Sequence, residues 1–233
     1  ENIDLVMVNF YPFEKNLKIT KDPKKIIESI DIGGPTLVRA AAKNYNDVTV
    51  ITNIEQYSML IEELKKNRGS TSIEFRQKLS EEAFAETAYY DSIVNNYFTS
   101  LTKNIFPKRK LIHGNLIEKL RYGENPHQEA AIYSFSESLN IIQLHGKKLS
   151  YNNYNDLYAA LNISKTLPKN TGTVIVKHNN PCGVSIHQDE IESLKNALRC
   201  DPISAFGGIV CCNFKIKKKI AFEINKIFFE IVI

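Results

Sequence analysis

A lysine and a histidine stand side by side in Lys177-His178-Asn179-Asn180-Pro181-Cys182-Gly183, directly after the apolar run Thr173-Val174-Ile175-Val176. Two ionisable groups at a strand end are expensive to bury and natural to use. Histidine titrates near neutral pH and serves as a general base, while a neighbouring cation stabilises negative charge developing on an attacked carbonyl. The plain alternative is a structural histidine on a turn. A zinc site of the nucleobase-deaminase kind, with its Pro-Cys-x-x-Cys run, also competes. Pro181-Cys182 echoes that run, but the position three beyond Cys182 is Ser185, and the ligand count fails.

Three further segments have chemistry-bearing residues at element ends. In Asp31-Ile32-Gly33-Gly34-Pro35, Gly33 and Gly34 allow close approach of a ligand, and the helix that follows offers unpaired N–H groups to a phosphate. Lys43 falls at the far end of that helix and is no P-loop lysine; the alternative is a strand–helix turn with a solvent-facing lysine. Asn9-Phe10-Tyr11-Pro12-Phe13 follows an apolar run, the edge at which open α/β sheets bind ligands, or else it is a loop anchored by its tyrosine. Asp201-Pro202-Ile203-Ser204-Ala205-Phe206-Gly207-Gly208 has the polar groups to orient an amine or carboxamide, and equally suits a plain helix-to-strand connection.

The elements that must position these residues follow from pattern. The near-continuous apolar run Ile3 to Phe10 predicts a strand buried on both faces. Asp22-Pro23 predicts an N-cap and first helical residue for a helix through Ile26, Ile27 and Ile30. A second helix is expected from Thr36 to about Lys43, then a strand over Val48 to Thr52. Asn53 with Gln56 predicts a capping box for a helix to Lys66, and Thr71 with Glu74 another for a helix through Phe98, broken near Ser80. The polar, basic Lys103 to Lys110, with Pro107, predicts a domain boundary and so domains 1–109 and 110–233. Beyond it come a turn-rich loop Arg121 to Gln128, a strand Ala131 to Phe135 and a helix near Asn155 to Lys165. A buried strand Thr173 to His178, a helix marked by Ile191, Leu194, Ala197 and Leu198, a strand from Gly207 to Cys212, and a last helix marked by Ile220, Ile224, Ile227 and Phe228 complete the pattern. Strand–helix alternation predicts an α/β fold.

At 233 residues, 43% of them apolar, the chain suffices for one large or two small domains. The net charge of +4 suits small anionic substrates. The run Lys215 to Lys219 predicts a solvated helix start, since a nucleic-acid patch would interleave aromatics; no nucleic-acid partner is expected. Four cysteines without Cys-x-x-Cys spacing predict neither a disulfide framework nor a metal cage, and fit a reducing cytoplasm. No run of about 18 apolar residues predicts a membrane span. The chain opens at Glu1 just before an apolar run and stops at Phe228-Phe229-Glu230-Ile231-Val232-Ile233, which reads as cuts through folded elements and predicts an internal fragment.

Asn9 to Phe13, Asp31 to Lys43 (Asp-Ile-Gly-Gly-Pro-Thr-Leu-Val-Arg-Ala-Ala-Ala-Lys) and Thr87-Ala88-Tyr89-Tyr90-Asp91 precede Arg121 to Gln128, Ser150-Tyr151-Asn152-Asn153, Lys177 to Gly183 and Asp201 to Gly208. In that order, along nearly the whole chain, they resemble the bifunctional purine-biosynthesis enzymes that formylate aminoimidazole carboxamide ribotide (AICAR) and close the ring to inosine monophosphate. The first three resemble the cyclohydrolase domain, the last four the transformylase domain. The resemblance implies a methylglyoxal-synthase-like portion followed by a cytidine-deaminase-like portion, assembled as a homodimer. It implies 10-formyltetrahydrofolate as co-substrate, AICAR and its formylated product (FAICAR) as nucleotide substrates, and no metal. It also implies roles: His178 deprotonates the amine, Lys177 stabilises the oxyanion, Arg121 and Tyr122 bind nucleotide, and Asn153 and Asp201 hold carboxamide and amine. Asp31, Lys43, Asn9 and Tyr11 match the set that polarises the formyl oxygen and shuttles protons, and Cys182 is structural. The family extends before Glu1 and beyond Ile233, so a rival expectation is a catalytically incomplete nucleotide-binding fragment, inactive as residues 1–233 alone.

Overall fold

The computed structural model describes residues 2–102, 104–135 and 138–233, so Glu1 and Lys103, named above at the chain start and the linker, lie outside the described residues. The chain divides into two compact units, Glu1–Gly114 and Asn115–Ile233, each a mixture of helices and strands.

In the first unit β1 (Leu5–Met7) pairs in parallel with β2 (Thr49–Ile51). Strand β2 is buried throughout, but β1 is not: Leu5 and Met7 are exposed, and Val6 alone of the three turns partly inward. The expected strand buried on both faces is therefore corrected to a short one-sided strand, because only the face carrying Val6 meets helices. The Asp22 carboxylate accepts from Lys24 N–H and Pro23 opens α2 (Pro23–Glu28), after a short α1 (Phe13–Ile19). Helix α3 (Gly33–Lys43) starts at the glycines, not at Thr36. Its buried face, Val38, Ala41 and Ala42, packs with β2 and with Leu79 and Ala83 of α5 (Ile73–Thr102). Small side chains let these helices approach, and the Ser80 hydroxyl donates to the Ala42 carbonyl at 2.7 Å. That bond joins helix to helix at the expected break, and α5 runs through it unbroken.

Two capping expectations change. Ahead of α4 (Gln56–Lys66), Gln56 Oε1 does accept from Asn53 N–H, but Asn53 Oδ1 accepts from Glu55 N–H, so only half the reciprocal box forms. At α5, Ser72 replaces Thr71 as the cap, accepting from Phe75 N–H, because the Thr71 hydroxyl is engaged with that of Thr49 at 2.9 Å.

The second unit opens with a strand the pattern did not predict, β3 (Asn115–Lys119), paired antiparallel with the expected one, β4 (Ala131–Ser134). Helix α6 (Tyr151–Thr166) starts four residues before Asn155, where Ser150 and Asn153 form a capping box. A four-stranded sheet follows in the order β6-β5-β7-β8, formed by β5 (Gly172–Lys177), β6 (Asn180–Ile186), β7 (Ile209–Cys212) and β8 (Ile231–Val232). Alternation along β5 serves both faces: Val174 and Val176 pack with α6, and Ile175 packs with Leu194 and Ala197 of α7 (Glu190–Cys200) and with Ile220 of α9 (Lys218–Ile224). Between α7 and β7 lies the single turn α8 (Pro202–Ala205).

Strand β6 contains Pro181, tolerated because β6 is an edge strand and its register with β5 shifts there. The last helix ends at Ile224, earlier than the expected Phe228, and Ile224 is buried. Beyond it Ile231 and Val232 pair in parallel with Ile209 and Val210 as β8. Among the described residues no helix is long and apolar enough to cross a membrane.

Gly183 marks the tightest helix–sheet approach: a Cβ there would collide with the backbone carbonyl of Ala197. Gly183→Ala is expected to destabilise the protein by about 3 kcal/mol, as overpacking does where neither side can yield. Equilibrium urea unfolding of the two proteins checks it.

Candidate functional site

In the first unit the polar residues gather where β1 and β2 end. Asp31, at the entry to α3, accepts from Tyr11 N–H through Oδ2 at 3.1 Å and from Gly34 N–H through Oδ1 at 2.7 Å. Its own N–H donates to the Tyr90 hydroxyl at 2.7 Å. A Cβ on Gly34 would stand 2.5 Å from Asp31 Oδ2, so glycine is what lets the carboxylate sit there, while Gly33 faces open space. Asn9 reaches the Tyr57 hydroxyl at 3.5 Å, and the Tyr11 side chain is exposed. The structure thus brings Asn9, Tyr11, Asp31, Gly33 and Gly34 to one edge. Lys43 is exposed at the other end of α3, about 15 Å away at 1.5 Å per residue.

In the second unit Lys177 ends β5, half-buried, with Nζ donating to the Phe206 carbonyl at 2.6 Å. His178 lies outside the strand, a correction to the expected Thr173–His178 range. With Asn179 it forms the two-residue turn into β6, at φ 52° and 64°. Positive φ at both positions is what the right-handed twist of a tight hairpin demands, and histidine and asparagine tolerate it better than most residues. The Asp156 carboxylate accepts from Asn179 N–H at 2.6 Å and fixes the turn, leaving the His178 side chain exposed. Asn153, one helical turn before Asp156, uses Oδ1 in the cap of α6 and donates from Nδ2 to Glu230 at 2.7 Å. Glu230 N–H in turn donates to the Gly208 carbonyl, and Gly207 N–H to that of Phe228. Lys177, His178, Asn153, Gly207 and Glu230 therefore share one sheet end.

Asp201 caps α8, accepting from Ser204 N–H at 2.9 Å. Hydrogen bonds from Ser204 hold its carboxyl below the usual range, and the Lys177 ammonium adds a smaller pull in the same direction. Arg121 and Tyr122 belong to a separate turn-rich loop, the guanidinium 5.7 Å from the centre of the Tyr122 ring. That loop is closed by Gly123 N–H to Gln128 O and touches α6 through Asn152, which reaches the Glu124 carbonyl. A cleft of about 450 Å3 lies beside it, lined by Gly123, Gln128 and Tyr151 among others. All four cysteines are free thiols. Burial pushes Cys182 up and Cys212 up to about 12, so neither is an activated nucleophile.

Sequence reasoning missed Asp156, Glu230 and the anchoring carbonyl of Phe206. Asp156 carried a readable signal, standing three residues after Asn153 on one helix face. Glu230 and Phe206 carried none, because their roles arise from strand order.

The whole is a mixed α/β protein of two units, each with polar side chains collected at one sheet end. The chain belongs to the AICARFT/IMPCHase bienzyme family, whose model matches residues 41–233. It is similar to the bifunctional purine biosynthesis protein PurH of Rhizobium rhizogenes (44% identical over 100% of this chain and 44% of that protein). The PurH proteins of Ruegeria sp. (46% identical, 99% of this chain, 45% of that protein) and Persephonella marina (44%, 100% and 46%) are similar in the same way. The chain spans about half the length of the curated relatives it matches.

The capped Asp201 makes a pH prediction. Its carboxyl is held below its unfolded range, so its contribution to stability is complete above that range and lost as pH falls through the depressed value. Asp201→Asn, which retains capping ability, is expected to flatten the acid limb of stability below about pH 4. Urea midpoints measured from pH 5 downward compare the two slopes.

Proposed function

We propose that the protein carrying this chain performs two consecutive steps of purine synthesis. A formyl group passes from 10-formyltetrahydrofolate to the 5-amino group of AICAR, and the FAICAR produced closes with loss of water to inosine monophosphate. The observation that carries this reading is the family match over residues 41–233, which reaches into both units, together with curated PurH relatives 44–46% identical along 99–100% of this chain, residues 1–40 included. Residues 1–109 belong to the ring-closing domain, methylglyoxal-synthase-like, and residues 110–233 to the formyl-transfer domain, cytidine-deaminase-like. A homodimer is part of the proposal, on the family resemblance.

In formyl transfer the AICAR amine attacks the formyl carbon and His178 takes the amine proton. The exposed position of His178 on a turn fixed by Asp156 supports that role. The tetrahedral oxyanion lies against the Lys177 ammonium, which the Phe206 carbonyl aims. Collapse expels the folate nitrogen, which receives the proton. Asn153 and Asp201 hold the carboxamide and amine, and Arg121 with Tyr122 binds the nucleotide, the guanidinium suiting a phosphate. In ring closure the carboxamide nitrogen attacks the formyl carbon while Asn9, Tyr11 and Asp31 polarise the formyl oxygen and move protons, beside Gly33 and Gly34. Lys43 stays in this set on the resemblance, although it stands at the far end of α3.

In the full-length protein His178→Ala is expected to lower the formyl-transfer kcat by about 10²-fold, the scale of a general base, and to leave ring closure nearly unchanged. Asp31→Asn is expected to do the reverse. Steady-state assays of each step on both variants test this, and equal losses in both steps would defeat the division of roles.

A further inference from the structure

Tyr90 lies on α5, 59 residues from Asp31 in sequence, yet its hydroxyl receives the Asp31 N–H at 2.7 Å. Its ring is 7% exposed and belongs to a cluster with Phe13, Ile26 and Ile93. Phe10 meets that ring edge-on at 5.2 Å, and Phe13 meets it at 6.2 Å. Phe10 and Phe13 flank Tyr11, whose N–H donates to the Asp31 carboxylate. One side chain therefore holds both halves of the edge: its hydroxyl fixes the main chain of Asp31, and its ring fixes the segment that carries Tyr11.

We propose that Tyr90 is a positioning residue for ring closure, setting where the Asp31 carboxylate stands relative to Tyr11. This rests on the reading of Asp31 as a ring-closure residue. The carboxylate has one backbone N–H on each oxygen and keeps a further lone pair on each for a ligand. The direction of those lone pairs follows from the Asp31 backbone, and Tyr90 is what restrains that backbone from the opposite side. Burial pushes the phenol pKa up, so the hydroxyl stays protonated through the neutral range. Any buried tyrosine finds a partner for its hydroxyl, so the distinction from a structural role lies in what losing that bond does to catalysis. Here the two functions are separable, because phenylalanine retains the ring and leaves the Asp31 N–H without its partner.

The experiment uses three variants of the full-length protein, with kcat and KM for closure of FAICAR, the formyl-transfer rate, and the melting midpoint measured for each. Tyr90→Phe is expected to lower the ring-closure kcat about tenfold or more with KM within about twofold, the cost of a small misplacement of a reacting group. Formyl transfer should be unchanged. Ile93→Val trims the same cluster without touching Asp31; it should lower the melting midpoint as much as Tyr90→Phe does, yet keep kcat within about twofold. A Tyr90→Phe kcat equal to the parent's would overturn the proposal, as would parallel losses of kcat and melting midpoint in Tyr90→Phe and Ile93→Val, or failure of Tyr90→Phe to fold. Asp31→Asn separates the two levels. If it closes the ring at the parental rate, the reading of Asp31 falls; if it is impaired while Tyr90→Phe is not, only the positioning role falls.

Discussion

Two backbone N–H groups, those of Tyr11 and Gly34, converge on the Asp31 carboxylate, and the arrangement of the first unit's sheet end depends on that convergence. Hydrogen bonds to a charged acceptor contribute about 1.5–3 kcal/mol each when shielded, and less here because Asp31 is only half-buried. Their larger consequence is geometric. They tie the segment after β1 to the first turn of α3, two pieces of chain that otherwise meet only through side-chain packing. The arrangement requires a glycine at 34, since a methyl group would fall on the carboxylate. It also requires a donor-facing partner for the Asp31 N–H, which the long helix α5 supplies from Tyr90. A carboxylate placed this way is oriented before any ligand arrives, the condition under which electrostatic assistance is effective.

The second unit applies the same chemistry to different ends. Asp156 captures the N–H of Asn179, Asp189 those of Ile191 and Glu192, and Asp201 that of Ser204. Asn213 does the equivalent with a neutral amide, accepting from Thr171 and Gly172 and donating to the Pro168 carbonyl. Each removes an orphan donor from an element end, which would otherwise cost free energy wherever water is excluded. Lys177 and His178 sit among these fixed ends, one held through Phe206 and one on a hairpin turn with no slack. Rigid elements rather than a long loop carry the pair, so the sheet and its hairpin set where the two side chains stand.

Much of this was legible in local chemistry. Asp22-Pro23 announced α2, the buried run of β5 announced the central strand, and Lys177-His178 marked where that strand ends. These signals depend on residues within one turn or one strand of each other, so no fold is needed to read them. The misreadings share a cause. Thr71 seemed a cap by spacing, but Thr49 from another strand claimed its hydroxyl. Ser80 read as a break, but Ala42 accepted its hydroxyl across a helix contact. Ile227 and Phe228 read as the last turn of a helix, but that helix ends at Ile224 and the chain turns to lay Ile231 and Val232 along the free edge of β7.

By itself the sequence determined the alternation of helix and strand, the glycine at the entry to α3, and the adjacency of a histidine and a lysine at the end of β5. Those follow from backbone propensity, side-chain size and titration, all properties of a residue and its near neighbours. Tertiary structure alone decided that Tyr90 meets Asp31, that Glu230 meets Asn153 and that Lys43 stands apart from the rest of its set. The reason is that a hydrogen bond to a distant residue depends on which strand edges and helix faces come together, and burial of the cores at Val50, Leu79, Ile175 and Val210 governs that choice. Apolar packing is non-directional, so it brings the elements together without encoding in any short stretch which polar groups will then be in reach.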